Sequence, residues 1–600
     1  MLGLDWLRNE VRTFGLLAKA GLHMRAVRPD GHWTVADAVE ATIDRSPNAV
    51  AIYWNDREIT YGELDAMANR VANWARLQEI GAGKVVALLM TNRPEFIAIW
   101  IGLAKVGAQT ALINTNLRTG PLAHAISISG AATLILSADL ADAYASASAS
   151  LAASPPVVWA SGGRVAGARD LDAALAGALS TRPDRSARAA LRTGDNLFFI
   201  YTSGTTGNPK AAYFSHARFL QVAGVYAVFV EIVPEDRVYC VLPLYHTAGG
   251  VVATSMALLR GAALVLRERF SASRFWEDCF RYRVTVFQYI GELCRYLLAG
   301  APSQYERSHE VRCAVGNGLR PDIWERFQQR FGIPRILEFY GATEGNVAII
   351  NLDGKVGAIG RIPPYARPFL PITLVRYDVA SDTHVRGPDG FCIKAGTGEV
   401  GEALGPMPSS ERDSAPRFEG YRDEAASEKK ILRNVFAMGD AWYRSGDLLR
   451  CDRAGYYYFV DRIGDTFRWK GENVSTSEVA EVLARTPGVE EVNVYGVHVP
   501  GHDGRAGMAA VIGRDRIDLE ALYRHATTHL PVYARPLFVR LTSQLDTTAT
   551  FKHRKVDFAE QGFDPARVGD PLYFRDDSAR TYVPVDQVLY NRLCAGTIKL

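Results

Sequence analysis

Cysteine is scarce and scattered, with only Cys240, Cys279, Cys294, Cys313, Cys392, Cys451 and Cys594 in 600 residues. The number is odd and no CxxC pair occurs, which argues against a disulfide framework, a zinc knuckle or a redox dithiol and points to a reducing compartment. Excess charge is lacking too: 68 Lys+Arg stand against 65 Asp+Glu, a formal charge of +3. That balance removes the electrostatic case for nucleic acid, although a local anion site stays open. No window reaches the ~18 uninterrupted apolar residues of a membrane span. The best candidates are broken by Lys105 and, around Val251 to Leu259, by His246 and Arg260. No small-residue cleavage site follows an apolar core near the N-terminus, so no secretory signal is expected. What is there, 48% hydrophobic and 22% charged residues, describes a soluble globular chain long enough for two or more domains.

The most informative stretch is Tyr201-Thr202-Ser203-Gly204-Thr205-Thr206-Gly207-Asn208-Pro209-Lys210, directly after the apolar run Leu197 to Ile200. An apolar run that breaks into Ser, Thr and Gly reads as a strand ending in a tight loop, whose N–H groups and hydroxyls suit an anion such as a polyphosphate. Gly204 and Gly207 let backbone approach phosphate oxygens, and Lys210 adds a compact positive charge. A Walker loop is excluded, because Pro209 and Ala211 flank Lys210 where Gly and Ser or Thr would be needed. An ordinary polar surface turn is the competing reading of the decapeptide taken alone.

Along the chain, Leu4, Leu7, Val11, Phe14, Ala18 and Leu22 fall at helical spacing, with Arg8, Arg12 and Lys19 elsewhere on the wheel. Such a basic amphipathic helix either docks on the protein's own body or lies on a membrane surface. From Thr34 onwards helices and strands alternate, which predicts an α/β core. Between Ser137 and Ala190 the composition turns to Ala, Ser, Gly and Pro with little periodicity, predicting a loosely packed excursion. Later strands end on Pro243-Leu244-Tyr245-His246, Val315-Gly316-Asn317-Gly318 and Tyr340-Gly341-Ala342-Thr343-Glu344-Gly345, and ligands of α/β sheets collect at strand ends. Gly316-x-Gly318 is not a dinucleotide fingerprint, since Pro321 occupies the third glycine position. Leu370 to Tyr458 is rich in strand and turn signals, and a new set of elements begins after Asp461-Arg462-Ile463-Gly464-Asp465.

Seven phrases, YTSGTTGNPK, PLYHTAG, GNGLR, EFYGATEG, YRSGD, DRIGDTFRWKGENVS and TATFKHRK, occur in this order. Together they resemble the acyl-adenylate-forming, AMP-binding enzymes from about Thr34 to the C-terminus. QYIGELCRYLL, GNGLRPDIW, EFYGATEGN and DTFRWKGENVSTSEV further resemble the fatty acid transport protein group, also called very-long-chain acyl-CoA synthetases. The resemblance implies an α/β fold: a large N-terminal domain of α/β subdomains with a β-rich subdomain, and a small mobile α+β C-terminal domain. The expected boundaries are an amphipathic segment over 1–30, the AMP-binding domain over 31–463 and the mobile domain over 464–600.

The resemblance also implies residue roles. Thr202, Ser203, Gly204, Thr205, Thr206, Gly207 and Lys210 would cradle the outgoing pyrophosphate of ATP, Thr343 would bond the α-phosphate, and Glu344 would hold Mg2+. Adenine would lie against Tyr340, with Asn317, Gly318, Glu338 and Phe339 completing its slot. Asp447 would accept the ribose hydroxyls and Arg462 would reach ribose or phosphate. His246 would position the acyl substrate, and Lys552 would swing in to orient carboxylate and α-phosphate, while Lys555 is read as a solvated charge. Two departures stand out: Ala549 replaces the usual Gly before Thr-Phe-Lys, and Gly464 replaces the usual Asp or Lys at the hinge. The expected activity is an ATP-dependent long-chain or very-long-chain fatty acyl-CoA synthetase using coenzyme A, cytoplasmic and peripheral on a membrane's inner face. Three alternatives remain at this point: a ligase loading a carrier protein, a bile-acid or sterol-acid CoA ligase, and a non-catalytic fatty-acid-binding or uptake protein.

Overall fold

A computed structural model describes residues 2–151, 153–203, 208–379, 381–407, 417–470, 472–502, 504–514, 517–545, 555–598 and 600. Two parallel-rich sheets form the larger part of the chain. In the seven-stranded sheet, Val85–Leu89 and Gln109–Leu112 are central, and Asn196–Ser203 with its antiparallel partner Pro209–Ser215 close one edge. In the eight-stranded sheet, Arg237–Cys240, Val286–Ile290, Cys313–Asn317 and Ile336–Gly341 run parallel, and Ala348–Asn351 turns back antiparallel. These strands are buried on both faces, as their near-continuous apolar sequences require. Pro94–Lys105 is apolar all round because it is sandwiched within one large core shared by both sheets.

Lys105, which interrupts that helix's apolar run, is fully buried. Its ammonium contacts Glu40 at 3.0 Å, Asp65 at 2.5 Å and Asn69 at 2.7 Å. Arg188, also buried, pairs with Asp37 at 2.9 Å and Glu40 at 2.5 Å. A buried charge persists only when so paired. The expected loose excursion before Ala190 is corrected here: Val157–Ser161 pairs in parallel with Thr133–Ser137, Arg169–Asp170 extends the edge, and Arg182, Arg185 and Arg188 are tied into the ionic cluster. Short, alanine-rich elements at a sheet edge carry too little periodicity to be read in advance.

A six-stranded antiparallel sheet follows, with Val400–Pro406, Ala441–Cys451 and Tyr456–Arg462 at its centre. Beyond Gly464, a five-stranded sheet beginning at Val489–Val497 packs with helices including Thr476–Leu483 and Leu519–His529 around a separate core running from Phe467 to Leu593. The first helix, Leu2–Ala26, buries Leu16 and Ala20 against Phe229 and is pinned by Arg12–Glu231 at 2.5 Å and the Arg361–Glu10 pair. His23 lies so close to Gly224 that a Cβ there would stand 1.7 Å from its ring. Leu7, Val11, Phe14 and Leu22 remain exposed on the opposite face. Among the described residues, no helix is long and apolar enough to cross a membrane.

Candidate active site

Of the candidate residues that are described, Thr202, Lys210, Tyr340, Thr343, Glu344 and Asp447 come together where the sheets meet. Thr202 and Lys210 are register partners at the root of the glycine-rich loop, so strand pairing carries the lysine to the loop mouth. Residues Gly204, Thr205, Thr206 and Gly207 lie outside the described residues. Lys210 Nζ sits 5.6 Å from the centre of the Tyr421 ring, and the Tyr421 hydroxyl donates to Glu344 Oε1 at 2.7 Å. Buried Tyr443 donates to the same oxygen at 3.5 Å. Thr343 Oγ1 lies 2.9 Å from Thr247 Oγ1, which joins this turn to the segment after His246.

That segment is a wide helical turn, Thr247–Ala253, packed so tightly that a Cβ on Gly250 would lie 1.9 Å from the Leu244 carbonyl. Such turns inside helices are frequent at functional sites. The His246 ring rests 4.6 Å from that of Tyr245, whose hydroxyl accepts from Asn116 at 3.2 Å.

Strand alternation decides what faces the expected nucleotide slot. Tyr340 is half-buried and its hydroxyl donates to Asp447 Oδ2 at 2.5 Å, while Asp447 Oδ1 lies 3.7 Å from Arg462 Nε. Burial, then the Asp447 carboxylate, pushes the Tyr340 phenol well above its ordinary range. Phe339 faces the other way, its ring edge-on to Tyr226 at 4.9 Å, so only its backbone remains for the slot. Glu338 is buried beneath the slot, where it accepts from Tyr289 at 2.5 Å, from Leu319 N at 3.2 Å and from Gly318 N. Burial pushes its carboxyl up to about 8 against the pull of those donors. Gly318 has φ +83°, and its carbonyl lies where a Cβ on Gly291 would come within 1.7 Å, so the turn beside Asn317 is shaped by close backbone contact.

Several contributors carried no sequence signal. Arg218, on the helix His216–Val230, donates to the carbonyls of Glu344 at 3.1 Å, Ala342 at 3.4 Å and Gly345, clamping the turn that presents Thr343 and Glu344. Tyr289 lies in QYIGELCRYLL, Tyr443 opens YRSGD and Tyr421 lies in no quoted phrase, and none of these phrases marks them as partners for a carboxylate. They are found only by folding.

Gly464 lines a cavity of about 1020 Å³ together with Asp465, Arg468, Lys470, His502 and Lys555. Lys552 lies outside the described residues. Lys555 corrects its expected role as a solvated charge: it pairs with Asp465 at 3.1 Å and donates to Thr476 Oγ1 at 2.6 Å. The Asp465 carboxylate and the Thr476 hydroxyl, brought close by the chain's turn at Gly464, draw it in.

A profile of the AMP-binding enzyme family matches residues 39–377, and one of the AMP-binding enzyme C-terminal domain matches 478–552. The long-chain fatty acid transport protein 1 of Homo sapiens is 43% identical over 609 aligned residues, covering 99% of this chain and 92% of the relative. The human long-chain fatty acid transport protein 3 is 45% identical, covering 87% of this chain and 76% of the relative. Among solved structures, ATP-bound MatB from Rhodopseudomonas palustris superimposes with a TM-score of 0.73 at 23% identity, over 88% of this chain and 98% of that one. The chain belongs to the AMP-binding enzyme family and, within it, to the long-chain fatty acid transport proteins.

Proposed function

We propose that the chain is an ATP-dependent fatty acyl-CoA ligase acting on long-chain or very-long-chain acids and coupled to fatty acid uptake. The names of its relatives support the substrate class. The observation that carries the reading is the convergence of Lys210, Glu344, Thr343 and the Tyr340–Asp447 pair, drawn from three sheets to one place. A pure binding protein has no need of that set.

In the first step a carboxylate oxygen bonds to the α-phosphorus of ATP, the bond to the bridging oxygen breaks, and pyrophosphate leaves. Anion meets anion, so the site must hold both in line and offset their charge. Lys210 and the N–H groups of its loop would take the departing phosphates, and Thr343, held by Thr247, would bond the α-phosphate. Tyr340 offers a flat face to adenine and Asp447 two oxygens to the ribose hydroxyls. In the second step the CoA sulfur bonds to the acyl carbon, AMP leaves, and the thiol proton goes to solvent.

Among the described residues, no group of three metal-ligating side chains exists, but Glu344 offers one buried carboxylate held by two tyrosines. That suits magnesium carried in by phosphates, which needs only one or two protein carboxylates. The ion would supply positive charge against the phosphate oxygens, and Glu344 would be its protein ligand. His246 and the wide turn after it would position the acyl group. The exposed apolar face of the first helix, flanked by Arg8, Lys19 and Arg25, would rest on the inner, anionic surface of a membrane.

Pyrophosphate release tested against carboxylates from medium to very long chain, and against ring acids, checks the reading. It should be greatest with long chains and require ATP, with AMP and acyl-CoA formed once CoA is added. Preference for a ring acid, or release only with a carrier-protein thiol, would replace the assignment. Glu344→Gln should cut pyrophosphate formation by about a hundredfold with the melting temperature kept, because an amide cannot balance a cation. Near-normal release at limiting magnesium would remove Glu344 from the role.

A further inference from the structure

Glu402 has no exposed surface, yet it carries a carboxylate in the six-stranded sheet. Four hydrogen-bond donors from two separate segments explain how it persists. His384 Nε2 lies 2.6 Å from Oε2, Arg444 Nη2 donates to Oε2 at 3.1 Å, Arg444 Nε lies 3.3 Å from both oxygens, and the Gly446 N–H donates to Oε1 at 3.0 Å. Burial raises its pKa, but these partners outweigh that and hold the carboxyl below its usual range.

The last of these contacts falls in an irregularity of the sheet. Glu402 pairs with Leu448 and Leu404 pairs with Arg444, so one residue, Ala403, stands against Ser445, Gly446 and Asp447. Extra residues of this kind re-aim side chains. Gly446 has φ +80°, its carbonyl accepts from Ile463 N at 3.0 Å, and Asp447 N donates back to Ser445 Oγ at 3.1 Å. The outcome is that the Asp447 carboxylate leaves the sheet plane toward Tyr340 and Arg462. The Gly446 N–H bond to Glu402 Oε1 ties this bulge to the strand opposite it.

We propose that Glu402, braced by His384 and Arg444, is a positioning residue for nucleotide binding: it sets the bulge that aims Asp447. The proposal rests on the reading that Asp447 takes the ribose hydroxyls. A shape-conserving Glu402→Gln must turn an NH2 toward one of these donors, leaving donor against donor. His384→Ala removes one brace without touching either strand of the bulge.

The test measures KM and kcat of pyrophosphate formation in the full chain with ATP and with 2′,3′-dideoxy-ATP, alongside melting temperature. Glu402→Gln should raise KM for ATP about tenfold, the loss of roughly one hydrogen bond to a charged group. It should leave KM for the dideoxy nucleotide and both kcat values within about twofold, so that the preference for the hydroxylated sugar collapses. His384→Ala should act in the same direction, more weakly, and Glu402→Asp should recover part of the preference. Glu402→Gln combined with Asp447→Asn should be no worse than Asp447→Asn alone. Equal losses for both nucleotides, or additive effects in the double variant, would overturn the proposal while leaving Asp447 in place. Should Glu402→Gln fail to fold, an unchanged sugar preference in a folded His384→Ala would overturn it equally. If Asp447→Asn itself keeps the sugar preference, the ribose reading falls, and the proposal with it.

Discussion

Glu338 shows what a single residue can mean beyond its place in a phrase. The EFYGATEG phrase marks it for the adenine slot, but its carboxyl lies under the slot, where Tyr289, Gly318 and Leu319 donate to it. Its value is in shaping the Gly318 turn. Burial lifts its pKa from the ordinary 4.5 to about 8. A carboxyl whose folded value exceeds its unfolded one gives stability that is complete below the unfolded value and lost as pH rises through the folded one. The window is therefore about 4.5 to 8. The melting temperature of the native chain should fall between pH 5 and pH 8 more steeply than that of Glu338→Gln, which has no proton to lose there. Parallel slopes would show that Glu338 stays ionised across this range. The tyrosines around Glu344 and the Arg218 clamp were beyond sequence reasoning for a related reason. Arg218 and the Glu344 carbonyl are 126 positions apart, and only folding makes them neighbours.

At the scale of elements, periodicity served well wherever an element was long. Apolar patterning predicts a helix over 61–77 and strands over 49–54 and 85–90, and the structure has the helix Tyr61–Leu77 and the strands Val50–Trp54 and Val85–Leu89. It failed over 138–190, where short edge strands and arginine-bearing turns answer to buried acids far away in sequence. The first helix was legible as amphipathic but not as two-faced. Its inner residues Leu16 and Ala20 dock on Phe229, and its outer Leu7, Val11 and Leu22 are exposed, so docking and membrane contact concern opposite faces. Deleting the helix would confuse the two by uncovering Phe229. Replacing Leu7, Val11 and Leu22 by Gln should lower binding to anionic vesicles at least several-fold, with an unchanged melting temperature and full activity on a soluble medium-chain acid. Unchanged vesicle binding would defeat the membrane contact.

For the whole molecule, the question is how the unit built around the Phe467-to-Leu593 core communicates with the rest. The order of phrases placed a division near Gly464; the contacts across it could not be read from them. Arg295, on the helix Gly291–Ala299, reaches Glu491 at 2.9 Å, and Asp461 accepts from the Thr476 N–H at 2.6 Å at the start of Thr476–Leu483. If the mobile C-terminal domain that the resemblance implies turns about Gly464, these contacts belong to one of two arrangements, and Lys552 is needed in only one of them. In the adenylating arrangement its ammonium would meet the carboxylate and the α-phosphate oxygens, a charge-stabilising role worth a few kcal/mol when a preorganised group is removed. Lys552→Ala should then lose pyrophosphate formation by roughly a hundredfold or more, yet convert supplied acyl-adenylate and CoA to thioester at a nearly normal rate. Lys555→Ala should leave both half-reactions nearly intact and lower the melting temperature, because its ammonium ties Asp465 to Thr476 rather than meeting substrate. Equal loss of both half-reactions in a folded Lys552→Ala protein would count against two arrangements, and a normal first half-reaction would show that the lysine acting there is another residue.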